Sequence, residues 1–535
     1  MSAFRRASLA SMCPHDVVSC VSELKHGLKE PLITGPHDSV ILWVDMCGFT
    51  SMAENTSPAE LAKIMSMCFS VLVDSVLRHG GDVLKFCGDA WLCSFRDSKG
   101  ECKYLEQGID ASVVSACLCA MEIQGEETSL AINSEEGLEI QFKVSIALGK
   151  SYSLLCGGLH DRWDYIFMGE PIQQIRTADQ LCRPGEIIIV DKAAVRLKQM
   201  SNLNCVLKGF PVTSLVVTKS QNESWRYPLI KRSSSVPCET QTSNQSRWNS
   251  LASRRYSERN LTIEEQPSTK NCFFILSSLK CVDNIPVLSA IPNEEKMSHY
   301  NRLELFLPMS VIPKALFKNH DLTKTRPFHD SMGSELQYIT ASFIKIQSLT
   351  EVSTEGCVDA LDSLDYSLEG KNTILAQGLH DSLNIINESL HKHGGILRQI
   401  LCDDKGTVAI CVFGLSGYQS KPTCAPVAIL SALETLQELK QQYGYDACAG
   451  IASGPAYCGV IGNHQRAEFV VLGDTVNTAA RIMAFADKEG HGVVCNEAAR
   501  KSSLNTDRLE FRGSERIAMK NKSSEQAVYF PSLLI

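Results

Sequence analysis

The chain has 535 residues, of which 44% are hydrophobic and 21% are charged, and its formal net charge at pH 7 is −8. This length is enough for two or three domains with sizeable cores, and the composition is ordinary for a water-soluble globular protein. The negative charge argues against nucleic acid as the main partner, and apolar runs of only strand length predict no membrane span.

The 22 cysteines are scattered within apolar stretches. They form no pair of CxxC motifs at zinc-site spacing. Arg5 and Arg6 are followed by no apolar segment, so we expect no signal peptide and a cytoplasmic location. The thiols are accordingly predicted to be reduced and mostly buried.

The first predicted elements alternate between strand and helix. The apolar run 40–44 predicts a strand, and Ser57-Pro58-Ala59-Glu60 has the cap, proline and acidic residue of a helix start. The elements that follow are a glycine turn, a strand, a helix and a strand, at 80–81, 83–86, about 109–124 and 140–148. The order β-α-β-β-α-β predicts an α+β fold with a ferredoxin-like core.

A weak internal repeat relates the two halves of the chain. Residues 80–85 are echoed by 394–399, and 145–149 are echoed by 450–454. Duplicated domains often pair face to face with a site at the seam. Between them, thirteen of the 40 residues of 231–270 are Ser or Thr, which predicts a disordered linker.

The predicted division of the chain has five parts. They are an N-terminal segment (1–37), a first domain (38–215), a Ser/Thr-rich disordered linker (216–270), a connecting arm (271–334) and a second domain (335–535).

Two aspartates are the main indication of function. Asp45 ends the apolar strand 40–44, and Asp89 follows the glycine-containing strand 80–88. Brought together, two such carboxylates repel unless a cation lies between them, and a hard divalent ion beside a glycine turn suits a triphosphate. The alternative is two unrelated aspartates, one capping a helix and one in a hairpin turn.

In the second half, Asn477 and Arg481 are four residues apart and are expected on one face of a helix. An amide and a guanidinium on one face suit an anionic transition state. The alternative is a surface arginine bonded to an asparagine one turn earlier.

Three motifs, VDMCGFTSM, GGDVLKFCGDAWL and GDTVNTAARIM, occur in this order. With them the chain resembles the class III nucleotidyl cyclases, most closely the soluble, bicarbonate-responsive adenylyl cyclases, over about 38–215 and 335–533. The resemblance implies two ferredoxin-like cyclase domains, C1 and C2, that form a pseudo-twofold dimer within one chain. It also implies in-line attack of the ribose 3′-oxygen on the α-phosphorus of ATP, giving cyclic AMP and pyrophosphate. Larger members continue into a regulatory region, so we expect a short form or a fragment.

The resemblance assigns roles residue by residue. Asp45 and Asp89, helped by the Met46 carbonyl, would bind two Mg²⁺ ions, with Mn²⁺ or Ca²⁺ as substitutes. Asn477 and Arg481 would stabilise the transition state. The triphosphate would be held by Lys143 and by the backbone of 46–50, which includes Gly48, Phe49 and Thr50.

The two halves complement each other. The first half has Gln173 and Thr177 where the second has Asn477 and Arg481. The second half has Lys345 at the position of Asp45, although Asp403 matches Asp89. One catalytic seam and one degenerate seam are therefore expected.

The chain departs from the family at the base-recognition positions. Gln399 stands where such adenylyl cyclases usually have Lys, and Val470 stands where they have Asp or Thr. Gln399 can still donate to an adenine ring nitrogen and accept from its amino group, and the pair is not the Glu/Cys pair associated with guanine. ATP is the expected substrate. The alternatives are a catalytically weak pseudo-cyclase that senses nucleotide or bicarbonate, and a guanylyl cyclase.

In the degenerate seam, Lys85 and Arg176 match the family's bicarbonate-binding positions, with Phe167 beside them. The alternative for both basic residues is ion pairing with nearby acids. Basic motifs also predict phosphorylation by a basophilic kinase at Ser8, Ser233 and Ser257.

Overall fold

The computed structural model contains two sheets flanked by helices. It describes residues 13–14, 17, 30–49, 52, 56, 58–96, 108–125, 140–199, 203–210, 273–281, 335–347, 349, 368–403, 406–415, 424–463, 465–519 and 525–534.

Among the residues that the structure describes, the first half supplies eight strands and four α-helices. The strands are β1 (Leu32–Met46), β2 (Asp82–Cys87), β3 (Ala90–Arg96), β4 (Phe142–Gly157), β5 (Trp163–Gly169), β6 (Ile187–Val190), β7 (Leu203–Phe210) and β8 (Phe273–Cys281). The helices are α1 (Pro58–Arg78), α2 (Ile109–Ile123), α3 (Glu170–Leu181) and α4 (Asp191–Gln199). A 3₁₀ turn (Leu159–Asp161) joins β4 to β5.

The second half repeats this arrangement. Its strands are β9 (Glu335–Ile346), β10 (Gly395–Asp403), β11 (Gly406–Phe413), β12 (Ala447–Gly462), β13 (Ala467–Leu472), β14 (Val493–Asn496), β15 (Leu509–Ile517) and β16 (Gln526–Leu533). Its helices are α5 (Leu368–His393), α6 (Cys424–Tyr443), α7 (Asp474–Glu489) and α8 (Glu497–Ser503).

The two sheets have the same strand order. The first runs β2-β3-β1-β4-β6-β8-β7 with β5 paired to β4, and the second runs β10-β11-β9-β12-β14-β16-β15 with β13 paired to β12. The order β1-α1-β2-β3-α2-β4 confirms the predicted ferredoxin-like core. The duplication predicted from the weak repeat is confirmed as well.

The predicted connecting arm is wrong for one segment. Phe273–Cys281 is a strand of the first sheet, where it pairs antiparallel with both β6 and β7. The physical reason is that β6 is buried on both faces and already pairs with β4 along one edge, so its other edge needs a partner. Strand β1 also begins at Leu32, before the predicted boundary at 38. The predicted linker 216–270 and the three candidate phosphorylation sites lie outside the described residues.

Each half inserts a hairpin into the core of the other. Tyr152, Leu154 and Ile166 of the β4–β5 hairpin pack in one cluster with apolar residues of α5. In return, Tyr457, Ile461, Val470 and Leu472 of the β12–β13 hairpin pack in one cluster with α1. This reciprocal packing forms the pseudo-twofold dimer within one chain.

The described helices include none that is long and apolar enough to cross a membrane. The cysteines whose side chains are described are free thiols, and all of them except Cys47 and Cys87 are buried.

Candidate active site

The two aspartates of the first domain meet at one edge of its sheet. Asp45 pairs in register with Ala90, the residue after Asp89. The Met46 N–H donates to the Asp89 carbonyl oxygen at 3.1 Å, which fixes the two loops together. Burial raises the pKa of Asp89 to about 7, and the negative charge of Asp45 contributes to that rise. The carboxylates are therefore close enough to repel one another.

Lys143 neutralises part of this charge. It lies opposite Asp45 on β4, and its Nζ is 2.5 Å from Asp45 Oδ2 and 3.1 Å from Asp179 Oδ1. Burial lowers the pKa of Lys143, but the bonds and charges of Asp45 and Asp179 raise it by more, so it stays charged. Burial also raises the pKa of Asp45, against the opposing effect of Lys143. Asp179, on α3, was missed by the sequence analysis, since no spacing links it to the motifs.

The donor set fits a hard divalent cation. Two mutually repelling carboxylates and a backbone carbonyl are all oxygen donors, which Mg²⁺ prefers. Among the described residues no group of three or more His, Cys, Asp or Glu side chains could hold a metal ion. Further ligands would have to come from water or phosphate, which is common for Mg²⁺.

The loop after Asp45 presents backbone rather than side chains. Gly48 adopts a positive φ of 78°, and a Cβ added there would meet nothing within 4 Å. Phe49 is buried in the first-domain core, where it anchors the loop. Thr50 lies outside the described residues.

Helix α7 of the second domain carries Asn477 and Arg481. The Thr475 hydroxyl donates to the Pro455 carbonyl at 2.8 Å and fixes the first turn of the helix. The Asn477 side-chain nitrogen is buried and has no hydrogen-bond partner. Because a buried amide donor without a partner is costly, this atom marks a place where an absent group would be accommodated.

The two base-recognition positions lie at the domain seam. Gln399 is buried, and its amide donates to Cys87 Sγ of the first domain at 3.6 Å, two residues before Asp89. Val470 is buried in the cluster that contains α1. The structure thus places both second-domain residues against the first domain.

The other seam has a different charge pattern. Lys345 lies opposite Val408 and Cys448, as Asp45 lies opposite Ala90 and Lys143. Its Nζ forms an ion pair with Asp487 at 2.6 Å, and its side chain is 9% exposed. This seam therefore has a lysine paired with an acid where the first has a carboxylate pair.

Of the three residues proposed for bicarbonate, one lines a cavity that the structure describes. Lys85 donates to the Ile400 carbonyl at 2.6 Å and lines a cavity of about 90 Å³ between the domains. Burial lowers its pKa, while the charges of Cys87, Asp164 and Glu468 act in the opposite direction. Phe167, which is buried beneath the Arg96 guanidinium, and Arg176 do not line this cavity.

The fold and the paired carboxylates agree with a family model that matches residues 34–214 and 383–531. The chain therefore belongs to the family described as adenylate and guanylate cyclase catalytic domain. The resemblance drawn from the motifs is confirmed.

Curated relatives cover almost the whole chain. This chain is 24% identical over 521 residues to adenylate cyclase type 10 of Oryctolagus cuniculus and 23% identical over 520 residues to that of Homo sapiens. Both alignments cover 92% of this chain. The chain spans 26% of the length of these relatives. Among solved structures, a class III adenylyl cyclase-like ATP-binding protein from Pseudomonas aeruginosa is 10% identical with a TM-score of 0.46, covering 94% of this chain and 93% of that one.

Proposed function

We propose that this chain is an adenylyl cyclase that converts ATP to cyclic AMP and pyrophosphate at the seam between its two domains. The observation that carries the proposal is the complementarity of that seam. The first domain supplies the repelling pair Asp45 and Asp89, and the second supplies the unpartnered amide of Asn477 with Arg481 on the same helix. The relatives named above are adenylate cyclases, which supports ATP as substrate.

Each residue has a distinct role in this reaction. Asp45, Asp89 and the Met46 carbonyl would hold two Mg²⁺ ions, for which Mn²⁺ or Ca²⁺ can substitute. Bound Mg²⁺ supplies Lewis acidity that lowers the pKa of the 3′-hydroxyl and neutralises charge on the phosphates. The bond between the 3′-oxygen and the α-phosphorus forms while the bond to pyrophosphate breaks, and the hydroxyl proton leaves to solvent. Arg481 and Asn477 stabilise the charge that develops in this step.

Lys143 keeps its place through Asp179. With Asp45 engaged as a metal ligand, Lys143 would retain its ion pair with Asp179 and would hold its ammonium toward the triphosphate. The exposed backbone at Gly48 and the Phe49 peptide would complete the phosphate site, and Thr50 is assigned to it from the sequence alone. Gln399 reads the adenine edge, and Val470 forms an apolar wall.

The test uses purified protein with ATP or GTP, each with Mg²⁺ or Mn²⁺, followed by identification of the product. Cyclic AMP from ATP supports the proposal. Cyclic GMP from GTP alone would establish a guanylyl cyclase, and nucleotide binding without any product would establish a pseudo-cyclase. An Asp89→Ala chain provides the blank for contaminating cyclase.

A second proposal concerns regulation by bicarbonate. In the part of the chain that the structure describes, Lys85 forms no ion pair, although it lines a cavity between the domains. A lysine ammonium without a carboxylate partner favours a small oxyanion. The cytoplasmic location and the kinase sites at Ser8, Ser233 and Ser257 remain proposals of the sequence alone.

A further inference from the structure

Strand β2, which leads to Asp89, contains a β-bulge. Val83 pairs with Cys93 while Lys85 pairs with Leu92, so Leu84 is the extra residue. Val83 and Leu84 are both buried. A bulge takes backbone groups out of the ladder, and buried carbonyls of this kind need another donor.

The donor comes from the other domain. Arg466, in the turn between β12 and β13, donates through Nε to the Val83 carbonyl at 2.9 Å and through a terminal nitrogen to the Leu84 carbonyl at 3.4 Å. Its side chain is 4% exposed. Glu468 pairs with the same guanidinium at 3.1 Å and with Arg398 at 2.8 Å. These ion pairs hold the Arg466 guanidinium in its orientation.

The same turn is fastened to a second element of the first domain. The Asn463 amide donates to Asp74 on α1 at 2.6 Å, and its side-chain oxygen accepts the Arg466 backbone N–H at 3.0 Å. The turn therefore contacts α1 and β2 together, and association of the domains determines where Arg466 meets the bulge.

The position of the bulge controls the position of Asp89. Asp89 lies five positions after Leu84, of which three continue along β2, about 10 Å, and two form the turn at Gly88 and Asp89. In a β-strand a shift of one residue reverses the direction of every side chain. Fixing the bulge therefore fixes the register in which β2 enters the turn that carries Asp89.

The pseudo-symmetric contact is not formed toward the other seam. Strand β10 has the equivalent bulge at Arg398, and Arg162 occupies the place of Arg466. One terminal nitrogen of Arg162 has no partner, its closest ion pair is Asp164 at 3.6 Å, and among the described residues Arg162 forms no side-chain hydrogen bond to β10. Strand β10 instead accepts a bond from Lys85 of the first domain, at the Ile400 carbonyl beyond the bulge. Among the described residues, an arginine of the opposite domain bonds the bulge carbonyls only on the strand that leads to the paired carboxylates.

We propose that Arg466 is a positioning residue that couples closure of the domains to the placement of Asp89 for metal binding. The inference rests on the proposed function, since it assigns Asp89 as a metal ligand. Loss of Arg466 should then weaken metal binding and slow the chemical step while nucleotide affinity changes little.

The experiment compares Arg466→Met with the matched variant Arg162→Met in the full chain. Mn²⁺ binding is measured by electron paramagnetic resonance with a non-reactive ATP analogue present, and kcat and KM are measured for ATP. Loss of a group that orients a metal ligand typically weakens metal binding about 10- to 100-fold, which is the loss expected for Arg466→Met. Arg162→Met should stay within about twofold of the unmodified chain, whereas equal Mn²⁺ affinities in the two variants would overturn the proposal.

Two further variants distinguish a specific positioning role of Arg466 from a general loosening of the contact between the domains. Arg466→Lys keeps the charge but offers a single ammonium group to two carbonyls. We expect an intermediate loss of Mn²⁺ affinity, which can be measured even if Arg466→Met does not fold. Asp74→Ala removes the other anchor of the turn and leaves the bulge contacts intact. If Asp74→Ala weakens Mn²⁺ binding as much as Arg466→Lys does, Arg466 has no specific role. If the unmodified chain binds Mn²⁺ but makes no cyclic nucleotide, the proposed function fails, and the Mn²⁺ comparison still decides the role of Arg466.

Discussion

Replacing Gly450 with alanine should disable the enzyme from a position outside the site. Gly450 lies on β12 where α7 crosses it, and a Cβ there would be 2.1 Å from the Met483 nitrogen and 2.4 Å from the Ala479 carbonyl oxygen. Both are backbone atoms of α7, so no side-chain rotation can relieve the clash. Ordinary contact requires the helix and the strand to separate by about 1 Å or more.

The magnitude follows from what α7 carries. Asn477 and Arg481 move with the helix, and a misplacement of about 1 Å costs about 10²-fold in rate. Overpacking of this kind also costs about 1–3 kcal/mol of stability. Since about 1 kcal/mol shifts Tm by about 2–4 °C in a domain of this size, Gly450→Ala should lower Tm by several degrees.

The assay is kcat for ATP with Tm measured on the same preparation. Gly492→Ala is the control, because the nearest atom to its added Cβ is 3.9 Å away. We expect Gly492→Ala to match the unmodified chain. A Gly450→Ala chain that retains full kcat would refute the close approach of α7 to β12 on which the reasoning depends.

Four further predictions concern single side chains. Asp45→Ala or Asp89→Ala should abolish Mg²⁺-dependent turnover with an unchanged circular dichroism spectrum, and near-full activity in either would contradict the metal assignment. Arg481→Ala should lower kcat by about 10²-fold or more with little change in KM, because its charge is needed mainly in the transition state; a change in KM alone would show ground-state binding only. Burial raises the pKa of Glu434, but His393 and Lys392 lower it further, to about 2, so the folded value lies below the unfolded one. Its stabilisation is present at neutral pH and is lost as pH falls from about 5 toward 2, so Glu434→Gln should lower Tm at pH 7 and make no difference near pH 2 in thermal melts across this range. Lys85→Ala should abolish stimulation by bicarbonate titrated at constant pH, with chloride as the control, and equal stimulation of both chains would remove Lys85 from the anion site.

Local signals in the sequence predicted much of the fold. The Ser57-Pro58 start matches α1, which begins at Pro58, and the helix expected near 109–124 is Ile109–Ile123. These features depend on caps and periodicity within a few residues. The strand Phe273–Cys281 could not be assigned to the first sheet, because more than sixty residues separate it from β7 along the chain.

The candidate site likewise contains residues that the sequence predicted and residues that it did not. Asp45, Asp89, Asn477 and Arg481 stand within recognisable motifs. Their partners do not, since Asp179 reaches Lys143 of strand β4 from helix α3, and Arg466 reaches Val83 from the other domain. Such contacts depend on how two elements pack, which residue spacing does not record. The sequence also could not show that Lys85 lines a cavity from which Arg176 is absent.

The exchange of hairpins between the halves has a consequence for how the protein responds to dilution. Each hairpin completes the core of the other half, so neither half buries its apolar surface alone. In an enzyme built from two separate copies, the rate of pairing would depend on the square of the protein concentration. The active fraction would then fall as the protein was diluted. Here the chain connects the halves, and a tether of this kind gives an effective concentration in the millimolar range. The specific activity of the proposed cyclase should therefore not fall when the protein is diluted.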